Sequence, residues 1–331
     1  MNATTPLRGG IDLGGTKIQA IVVGPDHAVL GEARRPTPTS GGPEAVVREL
    51  AATLREAAVK AKVDASALAG VGIGTPGAVD PVAGTVASAK NLPGFDGAVP
   101  LAALLGRELG LRVALGNDVG VALDAEAQLG AGRALRSFVG VWWGTGIGGG
   151  VVIDGTRWLG RSAAGELGHM VVKVGGAKCP CGRRGCVEAY AGRRAMEQRA
   201  RKHADKGRKT KLFEIMEQKG LERLTSGVFA KALAKDDALA HRLIERATKA
   251  LAAGLASAVN LLDVEGVVIG GGLGTRLGDE YALKIASAMQ PHLFVATRPP
   301  VVRIAALGDF AGAIGASLLV LPTMQRATTP T

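Results

Sequence analysis

All three cysteines of this 331-residue chain lie close together, at Cys179, Cys181 and Cys186, and His169 stands ten residues before the first of them. Three thiolates and an imidazole from one glycine-punctuated loop are the donor set that tetrahedral zinc favours. Four protein ligands fill such a site and leave no position for water, so the set predicts a structural Zn2+ rather than a catalytic one. Disulfides explain the group poorly. The count is odd, and Cys179 and Cys181 are too close in sequence to bridge each other comfortably.

Glycine turns form a second group. Asp12-Leu13-Gly14-Gly15-Thr16, Gly144-Thr145-Gly146 and Gly270-Gly271-Gly272 each place glycines beside an apolar run. There, backbone N–H groups can approach an anion with no Cβ in the way, which is phosphate-binding geometry. Any one of them could be an ordinary turn; three together suit a nucleotide. No G-x-x-x-x-G-K-[ST] is present, so a Walker-type loop is excluded. Asp118 precedes the helical run Val119 to Leu129, where it could serve as an N-cap.

The elements that must carry these groups are legible from periodicity. Leu7 to Leu13, Lys17 to Val23 and about Ala28 to Arg34 read as strands, followed by a helix from Pro43 to Lys62. Ala69 to Gly74 is a strand, Pro100 to Leu109 a helix, Leu111 to Asp118 a strand and Val119 to Leu129 a helix. The pattern restarts with strands Ser137 to Trp143 and Gly148 to Ile153, turning at Asp154-Gly155. Helices from Glu188 to Lys202 and Asp236 to Leu262 follow, then a strand Gly266 to Ile269, a helix to Met289, a strand Val301 to Ala306 and a helix Phe310 to Leu321. IDLGGTKIQAIVV echoes VWWGTGIGGGVVI, and AGVGIGTPG echoes EGVVIGGGLG. Two echoes in the same order predict a duplicated α/β domain with a cleft between its lobes. The lobes are expected at residues 1–117, completed by helix 310–321, and at 118–309.

Composition is 47% hydrophobic and 3% aromatic, that of an aliphatic α/β protein. No apolar run is long enough to span a bilayer and the N-terminus has no export signal, so a cytoplasmic protein with no membrane partner is expected. The net charge is +11, much of it between Arg193 and Lys211. The plain reading of that run is a solvated helical face and a lysine-rich loop. A sharper one is attraction of a polyanion, polyphosphate above all, because the run lacks the interleaved aromatics that single-stranded nucleic acid would need.

The motifs DLGGTK (Asp12 to Lys17), GVGIGTPGAVD ending at Asp80, Asn117-Asp118, GTGIGGG (Gly144 to Gly150), GELGH (Gly165 to His169) and CPCGRRGCVE (Cys179 to Glu188) resemble the ROK family of sugar kinases, and most closely its bacterial glucokinases. The resemblance runs from Gly10 to about Leu321. It implies an actin/hexokinase-like (ribonuclease H-like) two-lobe fold and transfer of phosphate from ATP with Mg2+ to a hexose. It implies Asp118 as general base, and because phosphoryl transfer asks little activation of its nucleophile, an unshifted carboxylate would suffice. Asn117 and Asn91 would bind sugar hydroxyls, with Glu166, His169 and Glu188 near the anomeric end. Asp12, Gly14, Gly15, Thr16 and Lys17 would line the phosphate site with Thr145 and Gly146, while Gly271, Gly272 and Leu273 would flank the adenosine. If zinc takes one nitrogen of His169, the other is a fixed donor, so the metal would shape the sugar pocket.

The run EAYAGRRAMEQRARKH departs from the usual small-residue segment of glucokinases, which leaves mannose, N-acetylglucosamine, N-acetylmannosamine and fructose open as acceptors. Eleven residues precede Asp12, fewer than the winged helix of the family's repressors, so no specific nucleic-acid partner is expected. An apolar helix face at Ala252 to Leu262 suits a homo-oligomer, dimer or tetramer.

Overall fold

The computed structural model describes residues 6–321. Along the chain it holds β1 (Arg8–Leu13), β2 (Lys17–Val23), β3 (Val29–Pro36), α1 (Gly42–Lys60), β4 (Val71–Thr75), β5 (Ala78–Asp80), β6 (Thr85–Ala87), α2 (Leu101–Leu109), β7 (Val113–Asn117) and α3 (Asp118–Leu129). There follow β8 (Phe138–Trp143), β9 (Ile147–Ile153), β10 (Thr156–Trp158), α4 (Glu188–Ala191), α5 (Arg193–Ala204), α6 (Lys211–Gln218), α7 (Ser226–Leu233), α8 (Ala238–Leu262), β11 (Gly266–Gly270), α9 (Gly271–Met289), β12 (Val301–Ile304) and α10 (Ala311–Leu318).

Packing divides the chain into Met1–Ala125 with Phe310–Thr331, and Glu126–Asp309. The division falls inside α3, after Ala125 rather than after Asn117, because Val121 packs against Gly74, Gly116 and Gly315 of the first unit.

The first unit is built on a sheet of order β3-β2-β1-β4-β7, in which β1, β2 and β3 are antiparallel and β4 and β7 join in parallel. The amphipathic α1 buries Leu50, Leu54 and Ala57 in its core, each leucine contributing roughly 2 kcal/mol. Helix α10 lies close against β1 and β4. Gly10 and Gly72 permit this approach, since a side chain at either would strike the carbonyl of Ala313 or Ala316.

The second unit repeats the plan as β10-β9-β8-β11-β12, again with three antiparallel strands and two parallel ones. This is the duplicated α/β lobe that the sequence echoes predict. Helix α8 packs against α4, α9 and β8, which corrects the expectation of an exposed Ala252 to Leu262 face. Ala252, Leu255, Ala256, Ala258 and Val259 are core residues, and Leu261 is the large apolar side chain of that segment left exposed.

The single helix expected from Glu188 to Lys202 is two helices. Gly192 adopts an extended conformation (φ −58°, ψ 131°) that ends α4 and starts α5 on a new axis. The hairpin of β5 and β6 and the short helices α6 and α7 were not expected, although Thr210 and Thr225 cap the two helices through their hydroxyls. Among the described residues no helix is long and apolar enough to cross a membrane.

Candidate active site and metal centre

In the first unit, β7 runs parallel beside β4 and ends at Asn117 and Asp118. Carboxyl ends of parallel strands are where open α/β sheets hold ligands. Asn117 caps α3, its Oδ1 accepting the N–H of Gly120 at 3.0 Å. The capping role open to Asp118 is thus largely taken by its neighbour, while Asp118 Oδ1 accepts the adjacent Val119 N–H at 2.9 Å and its carboxylate is also hydrogen-bonded by its own N–H and by the Asn117 side chain. Burial pushes the Asp118 carboxyl above its ordinary value, outweighing the N–H of Val119, which pulls it down. The expectation of an unshifted aspartate is corrected: desolvation makes this one the stronger base.

The turn between β1 and β2 is closed by the Gly14 N–H donating to Lys17 O at 2.9 Å, and the Thr37 hydroxyl donates to Gly14 O at 2.6 Å. Thr16 and Lys17 are exposed at its tip. Asn91 packs directly on Gly15, where an added Cβ would stand 2.6 Å from the Asn91 Cβ, so Asn91 adjoins this glycine turn. Asp12 lies against the start of α10, facing Gly312.

In the second unit one arginine ties down the turn at Gly144 to Gly146. The N–H groups of Arg193 and Arg194 at the start of α5 donate to the carbonyls of Gly144 and Thr145, each at 3.1 Å. The extended Gly192 frees them to do so. Arg193 Nη2 donates to Thr145 Oγ1 at 2.6 Å, and Nη1 donates to Leu224 O at 2.6 Å. Its Nε is buried with no hydrogen-bond partner, and burial lowers the guanidinium's pKa. Glu188 holds the other side of the turn, its Oε2 accepting the Ile147 N–H at 2.9 Å.

Gly271, at φ +81°, packs on the backbone of Trp143, which brings the start of α9 beside the turn at Gly144 to Gly146. Gly272 faces Ser226 at the start of α7. The Leu273 side chain is fully buried in the core, so only its backbone could lie beside a ligand. Trp143 is also core, its Nε1 donating to Ala191 O at 2.8 Å.

His169, Cys179, Cys181 and Cys186 are brought together as the sequence predicts, with all four candidate ligand atoms within 4.8 Å of one another. Cys179 Sγ lies 3.9 Å from His169 Nδ1, and Cys181 Sγ lies 3.8 Å from Cys186 Sγ. A tetrahedral ion with sulfur at about 2.3 Å holds such donors about 3.8 Å apart, so donor types and spacings both fit zinc. Backbone pairing of Val171 with Cys186 and of Lys178 with Arg184 shapes the loop. The N–H and side chain of Arg183 hold the exposed Cys181 thiol down, at about 6, whereas burial pushes Cys179 up to about 12.

His169 ends a short 3-10 turn, Leu167–His169, that starts after Glu166. Its Nδ1 faces the thiols, and its Nε2 stands 4.0 Å from Glu166 Oε2. A ring bound through Nδ1 would therefore present an Nε2–H beside an exposed carboxylate. Sequence reasoning missed Arg193 as a structural partner of Thr145. The signal was the departure from small residues after Glu188.

The ROK family profile matches residues 8–323. The chain is 33% identical to the glucokinase of Thermotoga maritima over 94% of this chain and 96% of that protein. It is 31% identical to an N-acetylmannosamine kinase of Haemophilus influenzae, covering 94% of each. Among solved structures, it matches a ROK family glucokinase from Streptomyces griseus in complex with glucose and AMPPNP at a TM-score of 0.79 and 30% identity, covering 95% of this chain and 98% of that one.

Proposed function

The chain belongs to the ROK family, and on that premise we propose that it is a sugar kinase that phosphorylates glucose to glucose 6-phosphate at the expense of ATP. The observation that carries the reading is Asp118: a carboxylate at the end of a parallel strand, with its neighbour as cap and its basicity raised by burial. In phosphoryl transfer the sugar hydroxyl oxygen bonds to the terminal phosphorus as the bond from that phosphorus to ADP breaks, and Asp118 takes the hydroxyl proton late.

Asn91, Asn117, Glu166, His169 and Glu188 are the proposed hydroxyl partners. Glu188 has one oxygen committed to the Ile147 N–H and offers the other. For the nucleotide we propose the backbone of Gly14, Gly15, Gly146, Gly271 and Gly272, the hydroxyls of Thr16 and Thr145, and Lys17. Asp12 is the proposed partner of a Mg2+ that would travel with ATP and offset phosphate charge.

His169, Cys179, Cys181 and Cys186 are proposed to hold Zn2+, which would supply rigidity rather than reactivity. Thiolate ligands suit a reducing, cytoplasmic setting. Exposed Leu261, Leu283 and Phe294 on the second unit support assembly of identical chains into a dimer or tetramer, which sedimentation velocity tests.

The test of function is ADP release with Mg-ATP over glucose, mannose, fructose, N-acetylglucosamine and N-acetylmannosamine. Highest kcat/KM on glucose is expected. A higher value on N-acetylmannosamine would move the acceptor to the 2-acetamido sugars, and no turnover on any sugar, with ATP or polyphosphate as donor, would overturn the kinase reading.

A further inference from the structure

The basic run from Arg193 to Lys211 is not simply a solvated face. Together with the metal loop it walls an open cavity of about 1000 Å³ within the second unit. Lys178 enters from the loop, Arg194, Arg199 and Lys202 from α5, and Lys206 and Arg208 from the segment after it. His203 and Gln198 complete the polar lining, and among the described residues no Asp or Glu lines the cavity. On α5, positions 194, 198, 199, 202 and 203 recur at helical spacing and share one face.

Two nearby acids are committed elsewhere, while the exposed Asp205, between His203 and Lys206 in sequence, is not a lining residue. Glu197 pairs with Arg201 at 2.7 Å and accepts the Leu224 N–H. Asp237 accepts the Thr210 hydroxyl and the N–H groups of Lys211 and Ala240. The cations therefore face one another across the cavity. Burial and the neighbouring Arg246 lower the pKa of Arg199, and burial with Arg208 and Arg242 lowers that of His203.

We propose that this cavity is a binding site for an anion carrying several contiguous phosphates. A single phosphate meets only two or three of these cations. Arg194 and Lys202 are eight residues apart, which is about 12 Å along a helix, and a chain of phosphates can engage both. Such an anion would also join two elements that matter to the proposed active site: the loop of Cys179, and the helix whose first N–H groups hold the carbonyls of Gly144 and Thr145. The site shares no side chain with the residues proposed for sugar or nucleotide, so it stands or falls apart from the kinase reading.

The test is calorimetric titration of sodium tripolyphosphate, and separately of long-chain polyphosphate and inorganic phosphate, into the full-length protein at two salt concentrations. Tripolyphosphate is expected to bind at least thirtyfold more tightly than inorganic phosphate and to weaken as salt rises. The exposed pair Lys202→Glu and Lys206→Glu is expected to weaken it at least tenfold, with Arg208→Ala intermediate. Lys249→Glu, on α8 outside the cavity, is expected to leave it unchanged.

Equal affinity per site for tripolyphosphate and the long chain assigns a small oligophosphate as ligand; tighter binding of the long chain assigns the polymer. Tripolyphosphate no tighter than inorganic phosphate, or weakening by Lys249→Glu as large as by the cavity pair, would overturn the proposal. So would loss of binding under saturating AMPPNP while the charge-reversed pair binds normally, since the anion would then sit in the nucleotide site. Variant-sensitive binding of an oligonucleotide but not of tripolyphosphate would make the patch a nucleic-acid surface instead.

Discussion

Arg193 donates through Nη2 to the hydroxyl of Thr145 at 2.6 Å, and through Nη1 to Leu224 O at the same distance. A hydroxyl that accepts from a guanidinium has its own hydrogen directed elsewhere, so Thr145 is set to donate. In the proposed nucleotide site the acceptor for that hydrogen would be a phosphate oxygen. The bond also joins the turn at Gly144 to the segment before α7, so one side chain fixes two edges of the same region.

Arg193→Ala is therefore expected to raise KM for ATP roughly tenfold, the effect of losing one charge-assisted hydrogen bond of about 1.5 kcal/mol. KM for the sugar should change much less. Steady-state kinetics varying each substrate separates the two, and an equal rise in both constants would mean that Arg193 only holds the fold together.

Asp118→Asn keeps the shape and the contact with the Val119 N–H but cannot take a proton. Turnover is expected to fall by about 10²–10⁴ while glucose still binds by calorimetry. Retained turnover would remove Asp118 from the chemistry.

The pH dependence follows from the sign of the Asp118 shift. Burial raises its pKa, and only the ionised form accepts a proton, so kcat/KM should fall as pH drops through a value above the usual carboxylate range. The same shift means that the folded state binds this proton more tightly than the unfolded state. Its stabilising contribution is present below the unfolded pKa and is lost as pH rises through the folded one. Asp118→Asn should thus unfold at a higher temperature than the parent at neutral pH, with the gap closing in acid. Thermal melts at several pH values check this.

Much of the fold was legible because its strands are short apolar runs between turn residues, and its longer helices carry a clear apolar face. The duplicated order of the two sheets was legible through the two echoed motifs. What was not legible depends on tertiary partners. Gly192 breaks a good helical pattern because the next two N–H groups are claimed by Gly144 and Thr145. Leu273 stands in a glycine motif yet points into the core, since the start of α9 packs on Trp143 and Ile269. The cysteines and His169 were legible as one site because their chemistry leaves few alternatives. The cavity beside them depends on which face of α5 turns toward the loop.

Glu126 shows the same dependence on distant partners. It is fully buried, and its carboxylate accepts the N–H groups of Ala131, Ala306 and Leu307 at 2.8–3.0 Å. Glu126→Ala would leave those donors unpaired, at a cost of about 3 kcal/mol, and should lower the denaturation midpoint with little change in the denaturant slope.

A zinc ion held by His169, Cys179, Cys181 and Cys186 would act beyond the residues proposed for the sugar. Cys186 lies two residues before Glu188, whose carboxylate holds the Ile147 N–H, so the loop of thiols is tied by covalent chain and hydrogen bond to the turn at Gly144 to Gly146. Cys181 is the exposed thiol of the set, so Cys181→Ser removes a ligand without disturbing the core. The variant should lose most of its zinc by elemental analysis, melt roughly 5 °C or more lower, and show weaker binding of both glucose and ATP. Loss of glucose affinity alone would confine the metal's influence to His169 and Glu166. Unchanged stability and affinity in a zinc-depleted variant would show that the loop holds its shape through its backbone pairing, and the structural role of the metal would be wrong.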